Sequence, residues 1–199
     1  MVTTIELRDV ILDAADRLMA RYGFRRITMD DVAKEAGVAK RTIYLRFSSK
    51  EELGLSSIGR VVEEAQRAMA QFAHSRGDAA RRLQQMLVVR VMSRVHAVRE
   101  YTMALDELFE AVRPAYMERR KTYFAIERDL IAEVLAQGKE AGQFDLDSPA
   151  DTAAILIVAT NAYLPYSLTV RELGSPEQIE ANLTQLVDLL IRGLTHNPT

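Results

Sequence analysis

Residues 28–47 read Thr28-Met29-Asp30-Asp31-Val32-Ala33-Lys34-Glu35-Ala36-Gly37-Val38-Ala39-Lys40-Arg41-Thr42-Ile43-Tyr44-Leu45-Arg46-Phe47. Thr28 is a residue that caps helices. Asp30 and Asp31 follow in the first turn, where the positive end of the helix dipole favours carboxylates. Gly37 supplies a turn, and Lys40 to Phe47 form a second short helix. A short helix, a glycine turn and another short helix make a helix-turn-helix arrangement.

Working outward, a helix over about residues 4–22 precedes this unit, with Thr3 and Glu6 spaced as a capping box. Its apolar positions are Val10, Ile11, Ala14, Ala15, Leu18 and Tyr22, and Gly23 ends it. Downstream, Ser49-Lys50-Glu51-Glu52 repeats the capping-box spacing and opens a long helix with Ile58, Val62, Ala65, Met69 and Phe72 on one stripe. His74 to Asp78 break it. Helices over Ala79 to Val95 and Val98 to Val112 follow, the latter ending near Pro114, and another runs from there to about Gly138. Ser148-Pro149 and Ser175-Pro176 each place a cap residue before a proline at the first helical position. Pro165 is expected to kink the first of these two helices. No stretch shows sustained period-two alternation, so the chain reads as all-α, with about nine helices.

The 199 residues are 48% hydrophobic and 27% charged, which fits a folded chain of one to two domains and excludes disordered and collagen-like classes. There is no cysteine, hence no disulfide framework, thiolate zinc site or cysteine nucleophile, and a reducing cytoplasm is the expected setting. No signal peptide is recognised, and the longest apolar run, Ala153 to Ala159, is too short to span a membrane. Charge is unevenly placed. Residues 1–50 carry ten Lys and Arg against seven Asp and Glu, a balance of +3, while the other 149 carry 16 against 21, a balance of −5. All five prolines lie in the acidic part. A basic head at 1–50 and a larger acidic body at 51–199 suggest two jobs in one chain.

The ordered set Ile11-Leu12-Asp13-Ala14-Ala15, Tyr22-Gly23-Phe24, Thr28-Met29-Asp30-Asp31-Val32-Ala33, Glu35-Ala36-Gly37-Val38, Thr42-Ile43-Tyr44, Phe47, Lys50-Glu51 and Leu53 closely resembles the TetR/AcrR family of bacterial transcriptional regulators. The resemblance covers roughly residues 5–60. It implies a three-helix DNA-binding head joined to a helical ligand-binding and dimerisation body. The implied activity is transcription regulation: a ligand-responsive repressor that binds a palindromic double-stranded operator as a homodimer and is released by a small molecule.

Lys40 and Arg41 sit in the first turn of the expected recognition helix, where side chains reach base edges, and are the candidates for guanine contact. Thr42, Tyr44 and Arg46 suit phosphate oxygens, as similar positions do in the family. Lys50 adds a cation at the start of the long helix, and Thr28 offers a hydroxyl unless capping uses it. Phe47 is expected in the core. Ala39 and Leu45 depart from the family, in which a capping serine and a polar residue are frequent.

In the body, Ile179, Leu183, Leu186, Leu190 and Leu194, widened by Val187 and Ile191, give the last helix more apolar face than one neighbour needs. With the run around Ile155 it is expected to pair with its twin in a four-helix bundle. Two recognition helices would then lie about 34–36 Å apart, one turn of duplex. Tyr101, Met103, Phe109, Tyr116, Tyr123, Phe124, Tyr163 and Tyr166 fall in helices that surround the pocket in similar proteins. Tyr101, Phe109, Tyr123, Phe124, Tyr163 and Tyr166 are the candidate ligand contacts, for an apolar or aromatic effector; core packing is the alternative for most. Arg90, Arg94 and Arg99 read as a solvated helix face, with an anionic ligand as the second reading.

An enzyme is not expected. A di-iron bundle needs Glu-x-x-His pairs, and Gln71, Ser93 and Gly193 stand three residues before His74, His96 and His196. No phosphate loop or nucleophile elbow is present, and no cofactor or metal is implied. The remaining alternative is a helical dimer that binds a small molecule or partner without specific DNA binding.

Overall fold

The computed structural model describes residues 4–99, 104–164 and 174–195. Among the described residues eight α-helices run α1 Thr4–Tyr22, α2 Met29–Glu35, α3 Lys40–Tyr44, α4 Lys50–Ala73, α5 Ala79–Arg99, α6 Ala104–Glu140, α7 Pro149–Thr160 and α8 Pro176–Leu194. A 3-10 turn at Asn161–Tyr163 follows α7. Among the described residues no helix is long and apolar enough to cross a membrane.

Local signals account for most helix starts. Thr28 caps α2 with a complete capping box: its hydroxyl accepts from the Asp31 amide, and the Asp31 carboxylate accepts from the Thr28 amide. Ser49, Ser148 and Ser175 accept from the amides of Glu52, Asp151 and Gln178. Thr3 lies outside the described residues. Gly37, at φ +67°, makes the turn between α2 and α3 in the left-handed region that a side chain resists.

Two expectations about proline are corrected. α6 does not break near Pro114 but runs through it. An interior proline loses one donor and crowds the carbonyl four residues back, a cost of about 3 kcal/mol. Burial of Leu108, Val112 and Tyr116 on both sides of it favours the continuous helix. In contrast, the helix expected to kink at Pro165 does not reach it: α7 ends at Thr160, and Pro165 lies outside the described residues. Leu164, which precedes that proline in sequence, is extended at ψ 138°, as the steric demand of a following proline ring requires. Val10 and Tyr22, expected on the apolar stripe of α1, are exposed.

The chain divides into two compact units, Met1–Val61 with Ala97–Arg119, and Val62–His96 with Arg120–Thr199. The first therefore takes in more than residues 1–50. Its core joins Ile11, Leu12 and Ala15 of α1, Val32 of α2, Ile43 of α3 and Leu53 of α4. Arg60 of α4 pairs with Asp13 at 2.5 Å and with Asp16, both on α1. Burial pushes the Asp16 carboxyl up, against the opposing pull of Arg60. Leu108 of α6 lies beside Gly54, and a Cβ there would come within 2.4 Å of it.

The second unit is centred on Leu83, Leu87 and Val91 of α5, with Ile131 and Leu135 of α6, Leu156 of α7 and Leu183 of α8 all buried against them. Arg82 closes the end of α4: its guanidinium donates to the carbonyls of Phe72 and Ala73, satisfying acceptors that a helix terminus leaves open. The expected dimer stripe is corrected here. Ile179, Leu183, Val187 and Ile191 are buried in this unit's own core, and Leu190 and Leu194 pack partly against it. The apolar arc of α8 is wide, and a helix rotates by about 100° per residue. Its centre serves the chain's own core, whereas Leu189 on its flank is 66% exposed, as are Ile155 (63%) and Val158 (70%) of α7.

Candidate nucleic-acid interface

The head presents α3 with one side in and one side out. Ile43 is fully buried, and Phe47 just beyond the helix is buried as expected. Lys40, Arg41, Tyr44 and Arg46 are exposed, and Thr42 is half-buried. The turn at Gly37 and the buried Ile43 hold α3 in place.

 The Ala39 side chain makes no cap hydrogen bond.

Electrostatics separate the candidates. Lys40 Nζ meets Asp30 Oδ1 at 2.7 Å across the turn and lies 6.0 Å from the centre of the Tyr44 ring. The hydrogen bond to Asp30, then its charge, raises the Lys40 pKa, so this cation is held fully charged. Both partners are exposed, and a phosphate can displace such a pair at small cost. Arg41 and Arg46 have no ion-pair partner among the described residues. Leu45, at 73% exposure, adds an apolar group at the end of α3.

Two expected contacts are otherwise engaged. The Thr28 hydroxyl donates to Asp31 Oδ2 at 2.6 Å and accepts from the Asp31 amide at 3.2 Å, so capping uses it. These bonds from Thr28 hold the Asp31 carboxyl below its ordinary pKa. Lys50 is corrected from a phosphate contact to an internal brace. Its ammonium donates to the carbonyls of Phe24 at 3.1 Å, Arg25 at 3.3 Å and Ile27 at 3.2 Å, and sits 4.7 Å from the Phe24 ring centre. A lysine has three donors, and all three are spent on the segment that leads into α2.

Sequence reasoning missed the α6 contribution to the head. Glu107 accepts from the Arg25 amide at 3.0 Å, Glu110 meets the Arg25 guanidinium at 2.5 Å, and Arg119 pairs with both oxygens of Glu52 at 2.9 and 3.0 Å. More than 60 residues separate these partners in sequence, so no local pattern announces them.

Among the described residues, the aromatic ligand candidates are divided between the two units. Phe109 belongs to the first unit, where it meets Tyr116 edge-on at 5.4 Å, which is core packing. Tyr123, Phe124 and Tyr163 belong to the second, and Tyr101, Met103 and Tyr166 lie outside the described residues. An open pocket of about 470 Å³ in the second unit is lined by Phe72, Gln84, Val88, Met92, His96 and Thr184 among others, and by none of the expected aromatics.

The arginines expected on a solvated face are inside. Arg90 and Arg94 of α5 are buried and share the fully buried Glu127 of α6, Arg90 through Nε at 2.6 Å and Arg94 through Nη2. Isolated cations cannot remain in an apolar core, and the carboxylate, absent from the sequence reading, is what admits them. The Arg99 side chain lies outside what is described.

Residues 11–55 match the family of bacterial regulatory proteins called tetR. An HTH-type transcriptional regulator of Haemophilus influenzae is 52% identical over 48 residues, 24% of this chain and 26% of the relative. The HTH-type transcriptional regulator EthR of Mycobacterium tuberculosis is 37% identical over 71 residues, 36% of this chain and 33% of the relative. The chain thus aligns with about a quarter to a third of the length of these relatives. A solved transcriptional regulator of the TetR/AcrR family from Thermobifida fusca shares the fold at a TM-score of 0.70 and 22% identity, covering 95% of this chain and 98% of that one. The tetR pattern is thus carried by the head, and the fold is shared with that solved regulator over nearly the full length.

Proposed function

We propose that the chain is a ligand-responsive transcriptional repressor that binds a palindromic operator as a homodimer and leaves it when a small molecule occupies the second unit. The observation that carries the reading is α3. Lys40, Arg41, Tyr44 and Arg46 stand exposed on a short helix whose opposite side, Ile43, is locked in the core. In this reading Lys40 and Arg41 meet base edges, Thr42, Tyr44 and Arg46 meet phosphates, and Thr28 and Lys50 hold the docking geometry. The exposed Ile155, Val158 and Leu189 supply the apolar centre of the dimer contact, in place of Ile179 and Leu183.

The test is a fluorescence-anisotropy titration of the whole chain against duplexes from upstream of its own coding region, across a salt series. Specific binding with a steep salt slope is expected. Lys40→Ala is expected to weaken it about tenfold or more, in line with the 1–3 kcal/mol of a good base contact. Unchanged binding in Lys40→Ala and in Tyr44→Phe would overturn the assignment of α3. Size-exclusion chromatography checks the dimer: Leu189→Asp should shift the chain to monomer, and an unaltered elution volume would remove this face from the reading.

A further inference from the structure

Among the described residues, the second unit brings two buried arginines, Arg90 and Arg94, onto one buried carboxylate, Glu127. Arg90 and Arg94 stand one turn apart on α5, and Arg120, Phe124 and Glu127 share a face of α6. The side chains of Arg90 and Glu127 are 0% exposed and that of Arg94 is 5% exposed. The two guanidiniums divide one carboxylate between them. A third, Arg120, lies with its Cζ 4.5 Å from the centre of the Phe124 ring, whose centre is 5.1 Å from Arg90 Cζ.

The two buried arginines are not equally engaged. Arg90 donates from Nε to Glu127, from Nη1 to Thr160 Oγ1 at 3.0 Å and from Nη2 to Asn161 Oδ1 at 2.8 Å, tying α5 to α6 and to the end of α7. Arg94 donates to Glu127 and to the Arg90 carbonyl, while its Nε is buried without a hydrogen-bond partner. A buried donor left unmade is costly, and a buried guanidinium that only half-owns a carboxylate is costlier still. One bound anion removes both penalties, because a planar carboxylate accepts from a guanidinium fork in a way that water or a hydroxyl does not. Around this charge the unit is apolar: Phe124 and Tyr163 pack against the core built on Leu87, Val91, Leu156 and Ile157.

We propose that Arg94, with Arg120 beside Phe124, forms a binding site for an organic carboxylate with an apolar body, the carboxylate taking the second half of the Arg94 fork while Glu127 retains Arg90. That occupancy of this site releases the operator rests on the ligand-responsive reading above, and the experiment reads the two separately.

The whole chain is melted with octanoate, with 1-octanol at the same concentration and with sodium chloride at matched ionic strength. Octanoate is expected to raise Tm by several degrees, and neither control to do so. Arg94→Met removes a half-compensated buried cation, so it should melt at or above the parent without ligand and lose the octanoate shift. Arg94→Lys keeps the charge but not the fork and should keep a small part of the shift. Equal shifts from octanoate and octanol, or a full octanoate shift in Arg94→Met, would overturn the site. An Arg94→Met chain that melts well below the parent would also overturn it, showing Arg94 to be a fully compensated structural partner. Operator binding is followed in parallel. Octanoate that shifts Tm through Arg94 but leaves the operator bound supports the site and refutes its coupling to release, whereas absent shifts with intact operator binding refute the site alone.

Discussion

The two units use the same residue types in opposite ways. In the first, Arg17, Arg25 and Lys40 reach into solvent and pair there with Glu35, Glu110 and Asp30. In the second, Arg82, Arg90 and Arg94 are drawn inside and engage carbonyls, Glu127 and Thr160. Exposed pairs are worth about 0–1 kcal/mol and exchange partners readily, which suits a surface that meets a polyanion. A buried guanidinium bonded on every side, as Arg90 is to Glu127, Thr160 and Asn161, is costly to break and so holds shape. The net charge of −2 conceals this division, which concerns burial as much as sign.

Removing the carboxylate from the buried group should produce the largest effect. Glu127→Ala leaves two guanidiniums in the core without it and is expected to cost about 3–5 kcal/mol in urea denaturation. A loss below 1 kcal/mol, the level of an exposed pair, would erase the contrast between the units. Next is a steric test of the second unit. A Cβ at Gly138 would stand 2.2 Å from Phe144 Cδ2 and 3.0 Å from Ala79 Cβ, so Gly138→Ala should destabilise by about 1–3 kcal/mol despite the better helix propensity of alanine.

In the first unit the effects are smaller. Thr28→Ala removes the α2 cap and should cost about 1 kcal/mol by thermal melting. The pH dependence of its partner has a definite sign. Because Thr28 holds the Asp31 pKa down, the contribution of that carboxylate is present above its ordinary pKa of 3.8 and is lost as pH falls through the lower folded value. The Tm difference between the parent and Asp31→Asn should therefore be steady near neutrality and shrink in acid. Smallest is Asp30→Asn, which frees Lys40 and removes a negative charge from the face proposed to meet DNA. It should strengthen operator binding a few-fold with little change in Tm, and weaker binding would mean that Asp30 orients Lys40 for contact.

What was legible in the sequence follows from range. Thr28 with Asp31, Ser148 before Pro149 and Ser175 before Pro176 act across three residues, and the structure has each of these caps in place. The helix-turn-helix was readable for the same reason. Glu127 was not, because a single acid on a helix looks solvated until α5 is laid against it, and its partners Arg90 and Arg94 are 37 and 33 residues away. Lys50 misled in a similar way: a lysine at a helix start suggests a phosphate contact, but carbonyls more than 20 residues upstream take its donors. The α8 stripe showed how much apolar surface there was without showing which part the chain keeps for itself.

The first unit is written in two pieces, Met1–Val61 and Ala97–Arg119, with 35 residues of the second unit between them. Its bonds from Arg25 to Glu107 and Glu110, and from Glu52 to Arg119, therefore join the pieces across that insertion. During synthesis a nascent chain that has just emerged through α4 has α3 but lacks the α6 partners of Arg25 and Glu52. The head reaches its final form only after residue 119 has left the ribosome, and closing the intervening loop carries an entropic cost that grows slowly with its length. Order of synthesis thus delays a finished helix-turn-helix head until Arg119 has been added.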